Sequence, residues 1–323
     1  MKRRLPHVRR SSSRPHIIVP ALAMSCLLAL VIPSGCRKVG SADGGAANGG
    51  GGTPTQSNPP SVDRPMISLH EAVVATNMSE IQRNLAWGAD VNVRNAVEDT
   101  PLHIAARRSL YDITRYLLDH GADIEARGDH GRTPMHIAAR NSDSEMAMLL
   151  LERGADINAG NENANTPLHE SMVTNSTIMA LLLLERGADV NARNVIGAAP
   201  LTTAAMLDRR DLATVLIDHG ADANIAEHRT REAPGHKAAK YGHTYVLEYL
   251  LEHGAEIDRP GPGGMTMLHI AAQQGHTEIA ALLIAHGADI NARTDAGLTP
   301  LSYATENGQA AIVQLLATSG GHE

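Results

Sequence analysis

The sequence predicts an all-α repeat solenoid, and three observations predict it. A short signature recurs as "TPLHIAA" at 100, "TPMHIAA" at 133, "TPLHESM" at 166, "APLTTAA" at 199, "APGHKAA" at 233, "TMLHIAA" at 266 and "TPLSYAT" at 299, every 33 residues with a single 34. A degenerate copy, "ISLHEAV", begins at 67. Nineteen residues after the Leu position of each copy stands a glycine: Gly88, Gly121, Gly154, Gly187, Gly220, Gly254, Gly287 and Gly320. The apolar residues make up 43% of the 323 and include no Phe, one Trp and six Tyr. A core of Leu, Ile, Val, Met and Ala suits closely stacked helices better than a sheet sandwich, which favours β-branched and aromatic residues.

Before the repeats lie two segments of different character. Residues 1–35 read as a secretory signal: a basic start (Lys2, Arg3, Arg4, Arg9, Arg10, Arg14), the uncharged run "IIVPALAMSCLLALVIP" and a small-residue ending. That run holds Pro20 and Pro33 and falls short of the roughly 20 residues of a comfortable membrane span. "PSGC" resembles the lipobox of bacterial lipoproteins, with Ser34 and Gly35 before Cys36; Pro33 departs from it, since that family usually has Leu there. The resemblance implies a lipid on Cys36. An ordinary signal peptide or a single-pass signal anchor is the alternative. Residues 36–65 are Gly-, Ser-, Pro- and Asn-rich with little to bury, which predicts a disordered tether.

Each repeat then reads as two helices. Thr is placed to cap the first with its hydroxyl, and Pro takes the first helical position, where no amide hydrogen is needed. In the second copy this helix is expected over 101–108. It closes at a turn occupied by Thr76, Ser109, Ser142, Asn175, Asp208, Gly242, Gly275 or Gly308. A second helix such as "DITRYLLDH" aligns Ile113, Leu117 and Leu118 on one side, and Gly121 stops it. Two helices of about two turns bury too little alone, so copies must stack.

This unit, with its TPLH start, central turn, paired leucines and "GADIN" ending, resembles the 33-residue ankyrin repeat over residues 66–320. The resemblance implies about eight antiparallel helix pairs stacked into a curved solenoid, with β-hairpin loops along one edge. It also implies a scaffold that binds other proteins and carries no catalytic residues in the repeat. In the first copy, Glu80 and Asn84 replace the apolar pair of the second helix, which predicts a polar N-terminal cap. At the fifth-to-sixth junction, one extra residue and Gly235 in place of the core Leu mark residues 226–236 as the weakest joint or a specialised contact loop.

Seventeen histidines invite a metal or catalytic reading. The repeat absorbs most: His70, His103, His136, His169, His236 and His269 fill the TPLH slot, where the family resemblance implies a structural hydrogen bond. "HEA" at 70 and "HES" at 169 lack the second histidine of HExxH, and no GxSxG or GxxxxGK[ST] motif is present. Both cysteines, Cys26 and Cys36, precede the repeats, so no disulfide or thiolate metal site is expected within them. The net charge of −7 would be more negative still without the basic start, which argues against general nucleic-acid binding.

Two cationic islands depart from the template: Arg107, Arg108, Arg132 and Arg140, and then His228, Arg229 and Arg231. If they form a site, an acidic protein surface is the natural partner. The sequence thus reads as a monomeric, non-catalytic binding scaffold in the bacterial cell envelope, needing no cofactor or metal. A released inhibitor or immunity-type protein is an alternative of the same kind, and an envelope hydrolase using the repeat histidines is the remote one.

Overall fold

A computed structural model describes residues 64–323. The expected signal segment, the tether up to residue 63 and Cys36 lie outside the described residues. Within them, sixteen α-helices follow one another in eight pairs. The first four pairs are α1 Leu69–Val74 with α2 Met78–Ala86, α3 Pro101–Arg107 with α4 Tyr111–Asp119, α5 Pro134–Asn141 with α6 Ser144–Glu152, and α7 Pro167–Thr174 with α8 Thr177–Glu185. The other four are α9 Pro200–Met206 with α10 Arg210–Asp218, α11 Pro234–Tyr241 with α12 Thr244–Glu252, α13 Met267–Gln274 with α14 Thr277–Ala285, and α15 Pro300–Glu306 with α16 Ala310–Thr318. First helices pack on first helices, α1 on α3 and so on to α15, and second helices from α6 to α16 form a second row.

The backbone explains the punctuation of the sequence. Every expected turn residue, from Thr76 (φ 55°) and Ser109 (φ 55°) to Gly308 (φ 69°), sits in the left-handed region, and so does each terminal glycine, for example Gly121 at φ 86°. Short polar side chains and glycine tolerate that region best. The loops between pairs carry no strand among the described residues, unlike the β-hairpins the family resemblance implies. Each is closed by a backbone hydrogen bond at its neck, such as Gly128 N to Arg132 O (2.8 Å) or Asn194 N to Ala198 O (3.0 Å). Successive tips also join, as in Val195 N to Asn163 O (2.9 Å) and His228 N to Ile196 O (2.8 Å).

The second helices supply the core as their spacing predicts: Ile113 and Leu117, Met146 and Leu150, Met179 and Leu183, and onward to Ile312 and Leu316 are all buried. The polar cap differs from its expectation in one respect. Glu80 and Asn84 are buried as well, because residues 66–67 run across them. Glu80 accepts the Met66 amide (3.1 Å), and Asn84 donates to the Ile67 carbonyl (3.0 Å). The polar pair thus replaces a missing repeat with hydrogen bonds to the incoming chain.

The junction at Gly235 also differs from a simple weak point. A Cβ on Gly235 would lie 2.5 Å from Met267 Sδ, so the volume of the absent leucine is taken by the side chain of the next repeat. Met267 stands where six other copies place Pro or, in the first, Ser. The same junction is tied by Lys237, buried between Glu227 (2.9 Å) and Glu232.

Candidate binding site

The TPLH histidines set the frame of the face made by the first helices and the loops. In α3, His103 Nδ1 accepts the Thr100 amide (3.1 Å) and faces the Thr100 hydroxyl (2.8 Å). Since Nδ1 accepts, the ring proton is on Nε2, which donates to the Arg132 carbonyl at the neck of the next loop (2.9 Å). The sequence reading gives the cap to the threonine hydroxyl; here the imidazole takes it and the hydroxyl serves the imidazole. His136, His169 and His269 repeat the arrangement; His236 has no threonine beside it, and its Nε2 donates to the Arg259 carbonyl (2.9 Å), ahead of the neck of the following loop. Burial holds all five below the ordinary histidine pKa, against the pull of those carbonyl bonds. Both nitrogens of each ring are committed to structure. Among the described residues no three His, Cys, Asp or Glu side chains gather to hold a metal.

The fifth repeat breaks the frame. Thr202 stands in the histidine slot, buried, and its hydroxyl has no hydrogen-bond partner. A hollow of about 410 Å³ opens there, lined by Thr202, Thr203, Val173, Ile196 and Met206, with Glu170, Asn165 and Asn194 among its polar walls. Val173 and Ile196 are both 46% exposed, so the hollow is rimmed by apolar groups that nothing among the described residues covers.

Cations flank the hollow, each backed by a buried carboxylate. Arg140 reaches Glu170 at 3.0 Å, Arg132 reaches it at 3.5 Å, and the Asn161 amide reaches it at 3.2 Å. One repeat earlier Arg107 holds Asp99 at 2.7 Å. Burial works to raise the Asp99 carboxyl, but Arg107 and the Asp129 amide (3.1 Å) outweigh it and leave its pKa below the usual range. On the far side Lys240 lies 3.2 Å from Glu232. There too burial is outweighed, by Lys237 and Lys240, and Glu232 titrates below its ordinary value. In these three pairs the cation is 42–47% exposed and its carboxylate 1–5%.

The structure therefore brings together some of the residues picked from sequence. Arg107, Arg132 and Arg140 line a second hollow of about 370 Å³, and Arg132 and Arg140 also line the larger one. Arg108 turns away to the Val74 carbonyl. His228, Arg229 and Arg231 are exposed on the loop between the fifth and sixth repeats. Sequence reasoning missed Asp99, Glu170, Thr202 and Lys240. Two left a visible trace: Glu170 sits where three other copies have Ile, and Thr202 where six have His.

Comparison with known proteins agrees with this frame. A family model for ankyrin repeats matches residues 69–161, 180–261 and 235–323, and a single-repeat model matches 163–195. The chain belongs to the ankyrin repeat family. It is similar to protein phosphatase 1 regulatory subunit 27 of Homo sapiens and of Mus musculus, 41% identical over 53 residues in each case. That stretch is 16% of this chain, and it spans 34% of the length of the curated relatives it matches. Within this ankyrin chain, the matched frame is the part the TPLH histidines hold, and the hollow is where one copy departs from it.

Proposed function

We propose that this ankyrin chain is a non-catalytic binding scaffold, held at the bacterial cell envelope by its N-terminal segment, that captures another protein on its first-helix and loop face. The observation that carries the reading is the hollow over Thr202. Its uncovered Val173 and Ile196 beside fixed polar groups form the mixed surface that protein recognition uses. The committed nitrogens of the repeat histidines favour a scaffold over a hydrolase, because a general base needs a free one. Two relatives named as regulatory subunits fit a binding role.

A photo-crosslinking residue placed at Val173 in living cells should yield a protein adduct, while one at Ile178, 73% exposed on α8, should not. Adducts from Ile178 alone, or from neither position, would overturn the reading. The anchor is tested separately. Metabolic labelling with a fatty acid should mark the wild type and not Cys36→Ala; equal labelling of both would remove Cys36 as the lipid site, and labelling of neither would leave a signal anchor or a released form.

A further inference from the structure

The paired charges on this face are asymmetric, and the asymmetry says what kind of partner fits. Glu170 accepts from two guanidinium groups and an amide, Glu232 from two lysines, and Asp99 from Arg107 and a backbone amide. These carboxylates are buried, with 1–5% of the side chain exposed, so they present little surface to an incoming cation. Their partners Arg107, Arg140 and Lys240 are half-exposed, and each has more N–H donors than its single contact uses. Held by a buried anion, each is already oriented, so a second acceptor gains a charge-assisted bond at little cost in side-chain entropy.

The order along the face adds a pattern. At the equivalent position of successive first helices stand Arg107, Arg140, Val173, Met206 and Lys240. Two cationic stations are followed by two apolar ones over the hollow, and then by a third cation. We infer that this face binds an extended peptide segment in which carboxylate-bearing residues flank a bulky, apolar-bodied residue: the flanks meet Arg140 and Lys240, and the centre fills the hollow over Thr202. Three helix-to-helix steps of about 8–10 Å separate Arg140 from Lys240. At about 3.3 Å per residue, the acidic flanks stand roughly seven to nine residues apart. A basic segment would meet like charge at Arg107, Arg140 and Lys240. The inference rests on the binding reading above and specifies its partner.

A design lever comes from the repeat itself. His236 fills its slot beside Ala233, with Nε2 on a loop carbonyl. Thr202 follows Ala199 in the same way, so Thr202→His can fill the hollow with the side chain the fold already accommodates.

The test pans a display library of random twelve-residue peptides on the immobilised full chain in detergent, then measures synthetic versions of the enriched sequences by fluorescence anisotropy. Enriched peptides should carry Asp or Glu on both sides of a large apolar residue. Their affinity should fall at least tenfold with Thr202→His, and at least tenfold with Arg140→Glu plus Lys240→Glu. It should also weaken several-fold between low and physiological salt. Arg115→Glu, on α4, should leave it unchanged. Enrichment of basic or uncharged peptides, no enrichment, binding indifferent to both variants, or displacement by a single-stranded oligonucleotide as efficient as by the peptide would each overturn the inference. A Val173 adduct obtained alongside any of these results would leave the binding reading standing and remove only the acidic partner.

Discussion

Gly235 and Met267 exchange roles across a repeat boundary, and a double-mutant cycle measures that exchange. Gly235→Leu forces a branched side chain into space that Met267 occupies, which should cost about 1–3 kcal/mol. Met267→Pro empties the same space and should cost about 2–4 kcal/mol, although proline suits the first position of α13. Together they rebuild the pattern of the other copies. The pair should therefore be at least about 1 kcal/mol less destabilised in urea unfolding than the sum of the single variants; strict additivity would show that the two residues do not share a site. Thr202→His is a second single-residue case. By filling the hollow and reaching toward the Glu232 carbonyl, it should raise stability by about 1 kcal/mol. A lower melting temperature would mean that the slot has closed in some other way. Neither site follows from composition, because each depends on which neighbour fills a gap one repeat away.

At the scale of elements, the N-terminal pair α1–α2 ends the stack by a device that the periodic pattern shows only in part. The substitution of Glu80 and Asn84 for apolar residues is visible in the repeat, but their burial is not, because it depends on where residues 66–67 run. Asn84→Ala leaves the Ile67 carbonyl and the end of the stack without a donor. It should cost about 1 kcal/mol and speed hydrogen exchange at Met66 more than at any amide of α5. Equal exchange at both places would mean that the incoming chain does not cap the stack. The same contrast runs through the molecule. Turn and terminal positions such as Ser142 and Gly154 were legible because a single residue's backbone conformation selects the residue type. The meeting of Arg132 and Arg140 at Glu170 was not, since their spacings of 38 and 30 residues follow only once the repeats are stacked. The junction over 226–236 belongs to this second kind. With Met267 filling it and Lys237 bridging Glu227 and Glu232, its amides should exchange no faster than those of the loop over 161–165.

The whole stack shares one titration. His103, His136, His169, His236 and His269 are each buried, each hold a helix start to the following loop, and each have a pKa depressed by burial. In the folded chain they remain neutral, whereas in the unfolded chain they take up protons as the pH falls through their ordinary value near 6.5. The unfolded state then binds more protons, so stability is fully present above about pH 7 and is lost as the pH drops below about 6.5. Per histidine, the slope approaches about 1.4 kcal/mol per pH unit once the unfolded side chain is protonated and the folded one is not. Because each repeat is held mainly by its neighbours, five such groups weaken five interfaces along the stack, on both sides of the break at Thr202, rather than one end. Asp99 and Glu232, whose pKa values are lowered in the fold, shed their own contribution only as the pH approaches the carboxylate range near 4, so they do not blur the histidine window. Urea midpoints of the full chain should therefore fall steeply between pH 7 and pH 5. His136→Gln should be less stable than wild type at pH 7.5, where it loses a bond to Asn165 O (2.8 Å), yet show a shallower decline toward pH 5 because one titrating group is gone. A decline of unchanged slope in that variant would take the acid sensitivity away from the buried repeat histidines.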